Sequence, residues 1–157
     1  MRVGFTGTQK GMTMEQKTAL ELLLRSMRPA ALVHGACMGA DAEADNIACN
    51  LKILRVLFPS NHPTKSRLAE CVERGGDVII AAPAQHPIER NPLIVGASTV
   101  LIACPSQPFE IIRSGTWTTV REGWRRLGRQ HVLIIEPSGL SRPARQTGVP
   151  DSPQTGD

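Results

Sequence analysis

The sequence predicts a Rossmann-like three-layer α/β/α domain with a mainly parallel sheet. Short runs that are entirely apolar, such as Val132–Ile135, are typical of strands covered on both faces. These runs alternate with segments of helical periodicity, and three of the strand-to-helix connections contain glycine. A chain of 157 residues with 41% hydrophobic residues is long enough to bury one core.

The strands are predicted from short apolar runs that end at turn residues. In chain order they are residues 2–6, 30–34, 53–58, 78–81, 100–103 and 131–136. The run at 78–81 is also compatible with an apolar turn. The helices between them are predicted at residues 13–27, 40–50, a short segment within 64–73, 88–96 and 116–127. In the first helix, Leu20, Leu23, Leu24 and Met27 recur at helical spacing and mark the buried face.

Residues 1–136 are predicted to form one Rossmann-like domain, followed by a disordered tail at 137–157. From Pro137 onward the chain has four prolines, three glycines and no apolar periodicity. Such a segment buries too little apolar surface to offset the entropy lost on ordering.

The composition excludes several classes of protein. A net charge of +4 suits an anionic ligand but is weak for nucleic acid, and aromatic residues for base stacking are only 3% of the chain. The four cysteines have no CxxC spacing and are expected to be reduced, and no His, Asp or Glu cluster has metal-ligand spacing. There is no secretion signal and no apolar run of membrane length, so we expect a soluble, cytoplasmic protein without a metal or cofactor.

The segment after the fifth predicted strand is the most informative part of the chain. Ser114, Gly115 and Thr116 open a helix, and Arg113 and Arg121 flank this turn. Free amides at a helix start, together with the helix dipole, attract phosphate, and glycine allows a ligand to approach the backbone. The alternative is an ordinary N-capped helix.

Two further turns share this character. One follows the first strand and contains Gly7, and the other follows the second strand and contains Gly35 and Gly39. Because parallel strands place such turns along one edge of the sheet, the three turns predict a pocket for a phosphorylated small molecule. The candidate ligand-binding residues are Gly7, Thr8, Gln9, His34, Gly35, Gly39, Asp41, Arg90, Asn91, Pro105, Arg113, Ser114, Gly115, Thr116 and Thr119.

The order of these motifs resembles that of the SLOG superfamily, which includes the lonely-guy phosphoribohydrolases and DNA-processing protein A. The matching pieces are listed in chain order: the turn at Thr6-Gly7-Thr8, His34-Gly35, Gly39-Ala40-Asp41, Phe58-Pro59, Glu89-Arg90-Asn91 and Ser114-Gly115-Thr116. The Gly-Ala-Asp and Arg-Asn elements are most similar to an uncharacterised bacterial and phage branch. The resemblance covers residues 1 to about 137.

The resemblance implies a site with one important difference. Arg90 matches the helical arginine that precedes the phosphate turn in the phosphoribohydrolases, and a guanidinium suits phosphate or ribose hydroxyls. In those enzymes a glutamate that serves glycosidic cleavage follows the glycine of the phosphate turn by four residues. Thr119 stands there in this chain. Cleavage would therefore need another group.

Two carboxylates could replace that glutamate. Asp41 could act as a general base or bind ribose hydroxyls, and it could equally be a helix cap. Glu89 is the second candidate, so the candidate catalytic residues are Arg90, Asp41 and Glu89. Asp45 is expected on a solvated helix face, and His34 at a strand end is a possible acid or base.

The last helix presents Trp117 and Trp124 on one face, because they are seven residues apart. We expect this face to pack in the core or at the interface of a homodimer or higher homo-oligomer, with stacking on a nucleobase as a less favoured role for Trp117. The functional hypotheses are a module that binds a nucleotide or an ADP-ribose-like molecule and, alternatively, an N-glycosidic phosphoribohydrolase acting on nucleoside monophosphates. DNA handling is disfavoured by the small charge and the scarcity of aromatic residues.

Overall fold

The computed structural model describes residues 1–143 and contains a seven-stranded sheet with helices between the strands. The strands are β1 Arg2–Gly7, β2 Ala31–His34, β3 Leu54–Leu57, β4 Val78–Ile80, β5 Val100–Cys104, β6 Val132–Ile135 and β7 Ser141–Pro143. The helices are α1 Met14–Met27, α2 Ala40–Asn50, α3 Leu68–Glu73, α4 Pro87–Gly96 and α5 Gly115–Leu127, with a short 3-10 turn at Arg129–His131 before β6.

The strand order is β4-β3-β2-β1-β5-β6-β7. Strands β1 to β6 are parallel, and β7 pairs antiparallel with β6. The chain builds outward from β1 to β4 and then returns to place β5 beside β1. The order therefore reverses between β1 and β5, which is the position where open α/β sheets bind ligands.

The core lies on both faces of the sheet, as the apolar strands predict. Side chains from alternate positions of β5 belong to different clusters: Ile102 packs with α1 and α2, while Leu101 packs with α5. Trp117 is almost completely buried on the α5 side, and Trp124 packs beside it. Core packing is thus the role of this helix face within the chain, and self-association stays a prediction.

The sequence-predicted fold class is confirmed, and each predicted helix and strand is present with ends that differ by a few residues at most. The apolar run at 78–81 forms β4. Helix α1 begins after Thr13 rather than at it, because the Thr13 hydroxyl accepts the Gln16 amide and the Gln16 side chain accepts the Thr13 amide.

Strand β7 lies inside the segment that the sequence analysis assigns to a disordered tail. Residues 136–140 form a turn that returns the chain to β6, and Arg142 binds the carboxylate of Glu136 at 2.5 Å and the Pro108 carbonyl oxygen at 2.8 Å. A strand of three residues that includes a proline has no periodic signal, so only its partners reveal it. The rest of the predicted tail, 144–157, lies outside the described residues.

Asp45 is fully buried, although the sequence analysis places it on a solvated helix face. Its carboxylate accepts hydrogen bonds from His34 Nε2 at 2.9 Å, Arg55 Nη1 at 2.8 Å and Arg74 Nε at 3.0 Å. Burial by itself raises the pKa of Asp45, but the hydrogen bonds from His34 and Arg55 and the positive charge of Arg55 outweigh burial and lower it to about 2. The expectation was wrong because the cations lie far along the chain on β3 and after α3.

We predict that Asp45→Asn lowers the free energy of unfolding by about 3–5 kcal/mol at neutral pH, because Arg55 would remain buried beside a neutral partner. The folded pKa lies below the unfolded value of about 3.9, so the stabilisation from the carboxylate is present above pH 4 and is lost toward pH 2. Urea unfolding of the wild type and of Asp45→Asn should therefore show a difference in the free energy of unfolding that narrows by roughly 2–3 kcal/mol as the pH falls from 5 to 2.

Glu21→Gln is the matched control, because it neutralises a carboxylate in the exposed Glu21–Arg25 pair. It should change the free energy of unfolding by less than about 0.5 kcal/mol. A gap between wild type and Asp45→Asn that stays constant from pH 5 to pH 2 would contradict the assigned role of the carboxylate.

We also predict that a chain ending at Pro137 is less stable than one ending at Pro143 by roughly 1–2 kcal/mol, because it loses the β7 ladder and both Arg142 contacts. Thermal melts of the two truncated proteins measure this directly. Equal melting temperatures would show that β7 adds nothing to the sheet.

Candidate functional site

A cavity of about 600 Å³ opens at the carboxyl edge of the sheet. It lies over the reversal between β1 and β5 and extends past the ends of β2, β3 and β4. The lining residues come from every connection that leaves this edge between β1 and α5. They are Thr6, Gly7, Thr8, Gln9, Lys10, Cys37, Asp41, Ser60, Asn61, His62, Lys65, His86, Pro87, Arg90, Asn91, Ser106, Arg113, Ser114, Gly115 and Thr116.

The start of α5 is an open helix end on this cavity. The Ser114 hydroxyl accepts the Trp117 amide at 3.3 Å, which caps one backbone donor. Within residues 1–143, the Gly115 and Thr116 amides have no protein acceptor. A Cβ placed on Gly115 would meet no atom within 4 Å, so the space beside this backbone is empty and available to a ligand.

At other helix starts on this edge, groups of the protein satisfy the amides or the free amides lie away from the cavity. In α4 Pro87 has no amide, and His86 Nδ1 accepts the Ile88 amide. At α2 the Ala40 amide binds the Thr8 carbonyl oxygen at 2.9 Å. The first residues of α1 do not line the cavity. The start of α5 is therefore a favourable position for an anion, because its two free amides belong to residues that line the cavity.

Asp41 lies in the first turn of α2 and lines the middle of the cavity. Its carboxylate accepts the Cys37 amide at 3.2 Å. Burial raises the pKa of Asp41, although the positive charge of Arg90 and the nearby amides of Cys37 and Gly35 act in the opposite direction. Asp41 is thus a buried carboxyl group with an increased tendency to hold a proton.

Arg90 lines the cavity, but most of its N–H groups donate hydrogen bonds to other groups of the protein. Nη1 binds the Gly35 carbonyl oxygen at 2.8 Å and the Phe58 carbonyl oxygen at 3.1 Å, and Nε binds Asn91 Oδ1 at 2.9 Å. Nη2 is 3.5 Å from the Cys37 sulfur. The guanidinium therefore ties the ends of β2 and β3 to α4, and its loss would disturb the cavity wall as well as any ligand contact.

Free positive charge is found on the rim. Lys10, Lys65 and Arg113 line the cavity, and none of them belongs to an ion pair within the described part of the chain. Asp41 is the one carboxylate among the lining residues of this described region. The cavity accordingly favours an anionic ligand.

Several residues proposed from the sequence lie outside the cavity lining. The His34 imidazole is buried: Nδ1 accepts the Ala36 amide at 3.0 Å, so Nε2 carries a proton and donates it to Asp45. Thr119 is buried and donates to the Gly115 carbonyl oxygen at 3.0 Å. Glu89 is exposed and does not line the cavity.

Three more candidate residues have structural roles and do not line the cavity: Gly35, Gly39 and Pro105. A Cβ on Gly35 would collide with the Arg90 guanidinium, so this glycine makes room for that side chain. Gly39 has φ +80°, and a Cβ there would collide with the backbone of Gln9. The Pro105 carbonyl oxygen accepts a hydrogen bond from Gln16 at 2.8 Å. These residues shape the edge of the sheet without lining the cavity.

The sequence analysis missed the lining residues that follow β3 and β4. They are Ser60, Asn61, His62, Lys65, His86 and Pro87. Their connections contain no glycine-bearing turn, which is the pattern that drew attention to the other three. Their position directly after predicted parallel strands was a usable signal, since all such connections meet at one edge.

Neither a group of metal ligands nor a membrane-spanning helix is found in residues 1–143. The structure places no three His, Cys, Asp or Glu side chains there as a group that could hold a metal ion. Among the helices of that region, none combines the length and apolar character needed to cross a membrane.

Comparisons with known proteins identify related folds. No protein-family model and no curated protein matches the sequence. A molybdenum cofactor binding protein from Rippkaea orientalis is similar in structure, with a TM-score of 0.60 and 20% identity over 86% of this chain and 76% of that one. DNA processing protein A from Streptococcus pneumoniae is also similar, with a TM-score of 0.61 and 15% identity over 86% of this chain and 49% of that one.

At such low identity these likenesses concern the fold. They support a Rossmann-like domain of the type shared by a cofactor-binding protein and DNA processing protein A, in agreement with part of the resemblance drawn from the motifs. This chain spans about half the length of DNA processing protein A.

Proposed function

We propose that the protein is a SLOG-type module that binds a nucleotide or a nucleotide-derived, ADP-ribose-like phosphorylated molecule in the cavity. The observation that carries this proposal is the open end of α5, where two backbone amides have no protein acceptor and the space beside Gly115 is open. A phosphate at this position would accept those amides and interact favourably with the helix dipole.

Two further features support binding of a phosphorylated ligand. The rim cations Lys10, Lys65 and Arg113 lack ion-pair partners within residues 1–143, so they are available to an anion. One structural neighbour is a protein that binds a cofactor, which is consistent with a small-molecule site on this fold. The fold alone does not specify the ligand.

We predict that Gly115→Val abolishes nucleotide binding while the protein remains folded. The valine side chain would occupy the open space beside the amides, and a Cβ there touches no other part of the protein. Isothermal titration with AMP and with ADP-ribose should show binding to the wild type and at least a hundredfold loss of affinity in the variant.

Thr118→Val is the matched control on the same helix, because Thr118 is exposed and does not line the cavity. It should bind both probes as the wild type does, and circular dichroism should show that both variants keep the wild-type helix content. Unchanged affinity in a folded Gly115→Val protein would place the ligand elsewhere, and wild-type protein that binds neither probe would contradict a nucleotide ligand.

Cleavage of an N-glycosidic bond in a nucleoside monophosphate is the second candidate function. It is favoured by Asp41, a buried carboxyl group on the cavity whose pKa is raised by burial, as a general acid requires. Thr119 has no carboxylate, and Glu89 does not line the cavity. The reaction would therefore depend on Asp41.

We predict that the wild-type protein leaves AMP intact, because the phosphoribohydrolase glutamate is replaced by Thr119. Chromatography of AMP incubated with the protein should then show no adenine, and Asp41→Asn should alter affinity only. Release of adenine over many turnovers by the wild type, lost in Asp41→Asn with binding retained, would overturn the binding-module proposal and establish the hydrolase.

A further inference from the structure

The end of the cavity farthest from α5 holds three polar side chains that the sequence motifs do not include. His62 and Lys65 follow β3, and His86 follows β4. In the strand order, β3 and β5 are separated by β2 and β1, so the carboxyl ends of these two strands lie about 14 Å apart at an interstrand spacing of about 4.8 Å.

In both imidazoles the nitrogen that is not bound to the protein can only donate. The Thr64 amide donates to His62 Nδ1 at 3.3 Å, and the Ile88 amide donates to His86 Nδ1 at 3.2 Å. A backbone amide can only donate, so each Nδ1 is an acceptor and each Nε2 carries the proton. Neither Nε2 has a protein acceptor within residues 1–143.

Lys65 adds a charge at the same place. It is half-buried, lines the cavity, and lies close enough to the Cys37 thiol to act on it electrostatically. Its backbone is fixed, because the Lys65 carbonyl oxygen accepts the Met38 amide at 2.7 Å and Ser66 bridges to Cys37. The ammonium has no carboxylate partner in the described structure.

The two histidine-bearing segments are held side by side by backbone hydrogen bonds. The Asn61 amide donates to the Gln85 carbonyl oxygen at 2.9 Å, and the Gln85 amide donates to the Pro59 carbonyl oxygen at 3.1 Å. The Ser60 hydroxyl accepts the His62 amide at 3.0 Å. This cluster of donors is therefore organised before any ligand binds.

We propose that His62, Lys65 and His86 form a second anion subsite, and that the ligand carries a second anionic group in addition to the phosphate at α5. The cluster combines two imidazole N–H donors with one ammonium and contains no acceptor, which suits a phosphate or carboxylate. This inference rests on the proposed function and specifies its ligand as a nucleotide derivative with two separated anionic groups.

Inorganic phosphate is the probe, because it can enter each subsite independently. The chain has four histidines, so the imidazole ¹⁵N resonances of His34 and His131 are internal references for those of His62 and His86. During a phosphate titration His62 and His86 should shift together and saturate, while the buried His34 and the distant His131 should not.

Lys65→Met tests the subsite, and Lys52→Met at the opposite edge of the sheet controls for the lost charge. Lys65→Met should weaken the response of His62 and His86 about tenfold, as expected for one charge-assisted contact, and Lys52→Met should leave it unchanged. If His62 and His86 do not shift, or shift with the same affinity in Lys65→Met, the second subsite is wrong.

Gly115→Val separates this inference from the proposed function. It should leave the phosphate response of His62 and His86 intact while removing AMP binding, since the α5 position is three strands away. Loss of both in a folded Gly115→Val protein would show that the histidines report the α5 phosphate, and the separate subsite would be rejected. Retention of both would contradict the α5 site and leave the histidine subsite supported.

Discussion

The buried carboxylate of Asp45 is the interaction on which the arrangement of α2, β2, β3 and α3 depends. It joins α2 to β2 through His34, to β3 through Arg55 and to the end of α3 through Arg74. Two guanidinium groups satisfy one carboxylate in the interior, so removing the carboxylate would leave positive charge where water does not reach. The position of α2 over the sheet is thereby tied to the strands that flank it.

A short series of hydrogen bonds connects Asp45 to the candidate site. The Asp45 carboxylate accepts a hydrogen bond from the Nε2–H group of His34. This leaves His34 Nδ1 to accept a hydrogen bond from the amide of Ala36, a residue with φ +50°. A non-glycine residue in this conformation is strained, and the hydrogen bond stabilises it. The next residues place the Cys37 amide on the Asp41 carboxylate, so a buried core interaction determines how the cavity wall is shaped.

The distribution of charge explains why the cavity is suited to binding. Arg90, the residue that the motif comparison favours as a ligand contact, is largely occupied by the carbonyl oxygens of Gly35 and Phe58. The cations that remain available are on the rim, and the backbone donors that remain available are at α5. A site of this kind suits an anion and offers no second carboxylate for acid–base chemistry, which is why we propose binding without cleavage.

The sequence by itself determined the alternating order of strands and helices, the parallel sheet and the glycine-bearing helix start at 114–116, because these depend on local periodicity and turn residues. Ten of the fifteen candidate binding residues line the cavity, since connections after parallel strands share one edge. Only the tertiary structure decided that Asp45 is buried, that Arg90 braces two strands, that β7 exists and that His62, Lys65 and His86 line one cavity. Each of these features depends on contacts between residues that are distant in the chain, and such contacts cannot be predicted from the local sequence pattern.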